Sequence, residues 1–224
     1  MEILKHSSPK LTLLSFLLIS IVCLIIFIPS FNKPLYAETY VSLQYELKDA
    51  FNITQFFSKY YGNAWKPLPR IGYYLEYHLF GLDAVGYRIT NLLFHISISF
   101  LVFYISLLIV RNKIISLAIA LIFAAHFAHW EIAAHTNILH HFLMIIFYLT
   151  TLILFQKYII SRKKIFYAAT LCSFIFCMLS SQTSVSLVIV MIALEMMMNE
   201  YKLTDIFRLK NYSKYIPFLS LTMI

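Results

Sequence analysis

Charge is what this 224-residue sequence has least of: Asp, Glu, Lys and Arg make up 12% of it, against about 25% in an ordinary soluble domain. With 61% hydrophobic residues, that scarcity excludes a soluble globular domain. Together with 20 Phe and 16 Tyr it also excludes a disordered or nucleic-acid-binding tail, so nucleic acid is not an expected partner. Cysteine is rare too. Cys23, Cys172 and Cys177 sit in apolar runs with no CxxC spacing and read as small buried hydrophobes, not as a disulfide or zinc framework. The four glycines (Gly62, Gly72, Gly81, Gly86) all fall in one stretch, which leaves the long apolar runs without a small-xxx-small glycine pair. Their packing must rest on Ala, Ser and large side chains. No internal repeat and no glycine- or proline-broken helix pair is visible, which argues against a transporter's midplane site.

What is present in abundance is apolar sequence long enough to cross a bilayer, which needs about 17–25 residues per helix. The expected architecture is an all-α, polytopic membrane helix bundle with six to seven spans. The spans are placed at 11–29, 89–110, 114–130, 137–156, 165–181 and 184–198, with 215–224 the start of a further one. The first resembles a signal peptide, but Leu35-Tyr36-Ala37 is a poor cleavage site, and an uncleaved helix is expected. Lys5 and Lys10, then Arg111 and Lys113, then Lys157, Arg162, Lys163 and Lys164, then Lys202, Arg208, Lys210 and Lys214 fall in alternate connections. A cytoplasmic N-terminus puts every short basic loop on the cytoplasmic side. The chain then reads as a single membrane domain, 1–224, with a large non-cytoplasmic first loop at 30–88, a helix bundle at 89–198 and a cytoplasmic loop at 199–214. Within 30–88, Ser42–Phe51 and Ile71–Phe80 have the pattern of short interfacial helices.

Ionisable groups at a membrane edge are costly and call for a reason. Glu38 follows the first span. Lys66, Arg70 and Arg88 form a cationic set suited either to lipid phosphates or to a clamp on a phosphate-linked lipid. Asn91 and His95, four residues apart, share one helix face, where hydrogen bonding across helices competes with a functional role. His126, His129, His135, His140 and His141, with Trp130 and Glu131 among them, could supply metal ligands. Their spacing matches no compact ligand motif, so no metal and no cofactor is expected, and His126, His129, His135 and His140 remain the alternative.

The order of these features resembles a known family. Trp65-Lys66-Pro67-Leu68, Leu79-Phe80-Gly81-Leu82-Asp83, Gly86-Tyr87-Arg88, Asn91-Leu92-Leu93 and His95 are similar to a string found in GT-C glycosyltransferases. The nearest group is the O-mannosyltransferase-like membrane domain of transmembrane tetratricopeptide-repeat proteins. Ile122-Phe123-Ala124-Ala125-His126 and Glu131 resemble a later segment of that family. The resemblance implies transfer of a sugar from a polyprenyl-phosphate donor to a protein or glycan acceptor on the non-cytoplasmic face. In that scheme Glu38 is the catalytic base and Lys66, Arg70 and Arg88 hold the donor phosphate, while Asn91, His95, His126 and Glu131 shape the site. It implies a multi-pass protein of a bacterial inner membrane or the endoplasmic reticulum. The departures are specific. The family's acidic pair is here Glu38-Thr39, its arginine falls at Leu139 or His140, and its Ser-Lys-Glu is Ser180-Ser181-Gln182. Family members also run longer, so a truncated or divergent form is expected, and a non-catalytic module binding a lipid-linked sugar or a partner protein stays open beside the enzyme.

Overall fold

The computed structural model describes residues 9–35, 56–57, 65–126, 138–199 and 213–222. Its long elements are all helices: α1 (Pro9–Phe27), α2 (Pro67–Phe80), α3 (Ala84–Val110), α4 (Lys113–Ala125), α5 (Leu139–Ser161), α6 (Lys164–Ser180), α7 (Leu187–Asn199) and the short α8 (Ile216–Leu221). Short 3-10 turns at Ile28–Ser30, Gln182–Ser186 and Ser213–Tyr215 lie beside α1, α7 and α8. Among the described residues four segments are long and apolar enough to cross a membrane: Lys10–Ser30, Ala84–Val110, Leu139–Ser161 and Gln182–Asn199. Helices Lys113–Ala125 and Lys164–Ser180 are apolar but shorter. Large aliphatic side chains point outward, Ile114 at 80% and Ile189 at 72% exposure, an arrangement suited to lipid and not to water. The protein is an all-α, membrane-type helix bundle.

Ring pairs and hydrogen bonds give the direction of each helix. Phe16 meets Phe100 and Phe27 meets His95, so α1 and α3 are antiparallel. Phe94 meets Phe142 while the Lys157 ammonium lies over the Tyr104 ring, so α3 and α5 are parallel. Phe147 meets Phe176 and Tyr158 meets Tyr167, so α5 and α6 are antiparallel. The alternation gathers Lys10, Arg111, Lys113, Arg162, Lys163, Lys164 and Lys214 at one end of the bundle. The exit of α1, all of α2 and the start of α3 gather at the other.

Two boundaries differ from expectation for local reasons. Helix α3 begins at Ala84, not 89, because Gly81 takes φ +58° in the preceding turn and Asp83 caps the helix, its Oδ1 accepting from the Val85 amide at 3.0 Å. Arg88 is therefore on a helix and not in a loop. Helix α5 runs on to Ser161 past Lys157, whose ammonium rests 5.6 Å from the Tyr104 ring centre. Of the two expected interfacial helices, Ile71–Phe80 is part of α2, while Ser42–Phe51 lies outside the described residues.

Packing within the apolar segments uses small hydroxyls and a thiol. Between α5 and α6, Thr151 donates to Ser173 at 2.9 Å, Ser173 donates to the Phe147 carbonyl at 3.1 Å, and Cys177 donates to the Met144 carbonyl at 3.4 Å. Buried Glu195 on α7 accepts from Lys214 Nζ and from the Tyr215 hydroxyl, which ties the segment around α8 to the bundle. At the other end Gly86 is pressed against Phe80: an added methyl would overlap the ring's Cγ and the Phe80 Cβ. Gly86→Ala should therefore destabilise the protein by about 1–3 kcal/mol, less the roughly 1 kcal/mol that alanine gains over glycine in a helix. Thermal unfolding in detergent micelles checks this.

Candidate functional site

The site begins where α1 ends. A helix leaves its last carbonyls without intrahelical partners, and here the chain runs from α1 through Ile28–Ser30 into Phe31-Asn32-Lys33-Pro34. Arg88, one turn into α3, is fully enclosed at 0% exposure and turns its guanidinium onto that exit. It donates to the Lys33 carbonyl, to the Pro34 carbonyl at 3.0 Å and to the Phe31 carbonyl at 3.5 Å. A planar fork with five N–H donors suits several carbonyls at once, as a lysine ammonium would not. The turn beneath is locked by the Tyr87 hydroxyl, which donates to the Gly81 carbonyl at 2.8 Å.

Asn91 and His95 continue the same face of α3, exposed by only 1% each. His95 Nε2 lies 3.2 Å from the Ala124 carbonyl and so donates to it. Its ring is stacked between Phe27 at 5.2 Å and Phe123 at 6.0 Å. The imidazole is thus a structural link between α1, α3 and α4. His126 caps the far end of α4 and is exposed.

A second group forms where α2 meets the start of α5. The Tyr73 hydroxyl accepts from the Leu139 amide at 2.9 Å, and the Leu139 side chain fills the notch left by Gly72, where a Cβ has no room. This docking brings Lys66, the half-buried residue preceding α2, within electrostatic reach of His140 and His141, whose rings are 4.0 Å apart. Burial pulls the Lys66 ammonium below the usual lysine range. Arg70 lies over the Phe56 ring at 5.5 Å.

The expected residues therefore divide in two. Arg88, Asn91 and His95 line a closed seam between α1, α3 and α4, whereas Lys66, Arg70 and His140 belong to the α2–α5 junction. Arg88, expected at the donor phosphate, donates to the backbone carbonyls at the exit of α1. Glu38, Glu131, His129 and His135 lie outside the described residues. Among the described residues no group of three His, Cys, Asp or Glu side chains is placed to hold a metal ion.

No family model, curated protein or solved structure matches this chain.

One acid escaped the sequence reading. Glu76 on α2 is 7% exposed, its Oε2 has no hydrogen-bond partner among the described residues, and Thr90 of α3 is its hydrogen-bonding neighbour. Burial pushes its carboxyl up to about 8. The signal was available: Glu76 follows Tyr73 by three residues, so the register that buries Tyr73 turns Glu76 toward the same face.

Proposed function

We propose that this chain is a GT-C-type membrane glycosyltransferase, with six to seven spans and a cytoplasmic N-terminus, in a bacterial inner membrane or the endoplasmic reticulum. It would transfer a sugar from a polyprenyl-phosphate donor to a protein or glycan acceptor on the non-cytoplasmic side. The observation that carries this reading is where the family-like stretch 65–95 folds. Lys66 and Arg70 lie on and just before α2, the Gly81–Asp83 turn follows, and Arg88 on α3 grips the exit of α1 four residues before Glu38. The gathering of the basic turns at the opposite end supports the orientation.

In this reading the Glu38 carboxylate takes the proton of the acceptor hydroxyl as its oxygen attacks the sugar's anomeric carbon. Lys66 and Arg70 stabilise the departing lipid phosphate, and a positively charged protein surface is enough for that leaving group. Arg88 holds the chain that carries the base. A second reading, a non-catalytic module that binds a lipid-linked sugar or a partner protein, is favoured by the enclosure of Arg88 and His95, which leaves fewer groups facing a substrate. Full-length protein given a labelled polyprenyl-phospho-sugar and acceptor separates the two. Turnover that falls by about 10²–10⁴-fold in Glu38→Gln supports the enzyme. Unchanged turnover removes Glu38 from the mechanism, and binding without turnover in the parent protein favours the module.

A further inference from the structure

Among the described residues only two that are not glycine adopt positive φ, and both are arginines that end a helix: Arg111 at +57° after α3 and Arg162 at +56° after α5. Each closes its helix in the same way, the Arg111 amide donating to the Leu107 carbonyl at 3.1 Å and the Arg162 amide to the Tyr158 carbonyl at 2.8 Å. Each has a lysine within two residues, in Arg111-Asn112-Lys113 and Arg162-Lys163-Lys164. Glycine or asparagine takes this left-handed position with less strain. A positive count on this side of the membrane is met by the neighbouring lysines, so topology alone does not explain an arginine at both strained positions. Strain held twice in one place is a reason to look for a ligand.

The two turns end packed helices at the same end of the bundle. Helices α3 and α5 run parallel, with Lys157 over the Tyr104 ring. Arg111 lies seven residues beyond Tyr104 and Arg162 five beyond Lys157, which at helical rise puts them within about 3 Å of the same level. Arg111, Arg162, Lys163 and Lys164 are all exposed. The one described carboxylate at this end, Glu195, is already bonded to Lys214 and Tyr215. Two exposed guanidinium forks and their lysines thus lie at the same rim of an apolar bundle, with no described acid left to meet them.

We propose that the Arg111 and Arg162 turns form one binding site for the phosphodiester headgroup of an anionic membrane lipid, in the leaflet that this end of the bundle faces. The apolar flanks of α3 and α5 would take the acyl chains, and the arginines would grip the phosphate through paired N–H donors. This site is independent of glycosyl transfer.

The test is native mass spectrometry of the delipidated full-length protein titrated with phosphatidylglycerol or phosphatidylcholine. Phosphatidylglycerol should bind with marked preference. Arg111→Asn and Arg162→Asn suit the left-handed position, so folding should survive, and each should weaken phosphatidylglycerol binding about fivefold, the pair about thirtyfold. The Arg111→Lys, Arg162→Lys pair keeps the charge and loses the forks, and should fall between the parent and the asparagine pair. Unchanged affinity in the asparagine pair overturns the site, and parental affinity in the lysine pair overturns the role of the forks. Equal binding of glycerophosphate, which has no acyl chains, overturns the lipid as occupant.

Discussion

Arg88→Leu is expected to destabilise the protein by about 1.5–3 kcal/mol, the usual worth of hydrogen bonds made by a charged group. The leucine side chain fills part of the space, but three carbonyls at the exit of α1, those of Phe31, Lys33 and Pro34, lose the guanidinium that reaches all of them. These part-buried carbonyls then lose a charge-assisted donor, and each falls back on whatever weaker partner or solvent reaches it. Arg88→Lys restores the charge but not the planar fork, and should recover only part of the loss. Thermal unfolding in micelles measures the stability, and limited proteolysis between Phe31 and Leu35 reports whether the exit of α1 has come loose. A leucine variant that melts with the parent and resists cleavage would show that Arg88 does not hold the exit.

The second large effect is one of pH. The folded protein keeps a proton on Glu76 up to about pH 8, whereas the carboxyl ordinarily releases it near 4.5. Because the folded state binds the proton more tightly, stability is highest below pH 4.5 and falls as pH rises toward 8, with the full penalty present above that. The shift corresponds to about 5 kcal/mol. Glu76→Gln keeps the shape and cannot ionise. Its melting temperature should match the parent's near pH 4.5 and exceed it by about 10–20 °C at pH 9. Parallel melting curves for the two proteins across that range would mean that the carboxylate is solvated and not buried.

How far these features were legible in the sequence depended on whether a pattern was local. The apolar runs and alternating basic connections announced the bundle, because bilayer thickness and charge bias act on short stretches of chain. Helix α3 starts five residues before the hydropathy rise, because the Asp83 cap and the Gly81 turn set its first residue and apolarity does not. Arg88 stands out in the sequence as a costly charge, but its carbonyl contacts are not legible there. Its partners lie 54 to 57 residues away, and nothing local says whether an arginine meets a phosphate or a carbonyl. Glu76 was missed because an acid in a tyrosine-rich amphipathic helix looks solvated until the helix against it is known. His95 stands out in the sequence as Asn91's partner on one helix face, whereas its place between two phenylalanines and its bond to the Ala124 carbonyl depend on helices far along the chain.

The Glu195 cluster bears on how the protein is made. Glu195 lies in an apolar segment, where a carboxylate is unfavourable by a few kcal/mol, and both of its partners, Lys214 and Tyr215, come about 20 residues later in the chain. At about 5–20 residues per second, the ribosome delivers those partners roughly one to four seconds after Glu195. During that interval α7 has a reason to linger at the translocon, in the interface or against α5, and it settles only once the following segment arrives. A stalled or shortened nascent chain ending before Lys214 is thus expected to leave α7 less securely inserted than it is in the longer chain.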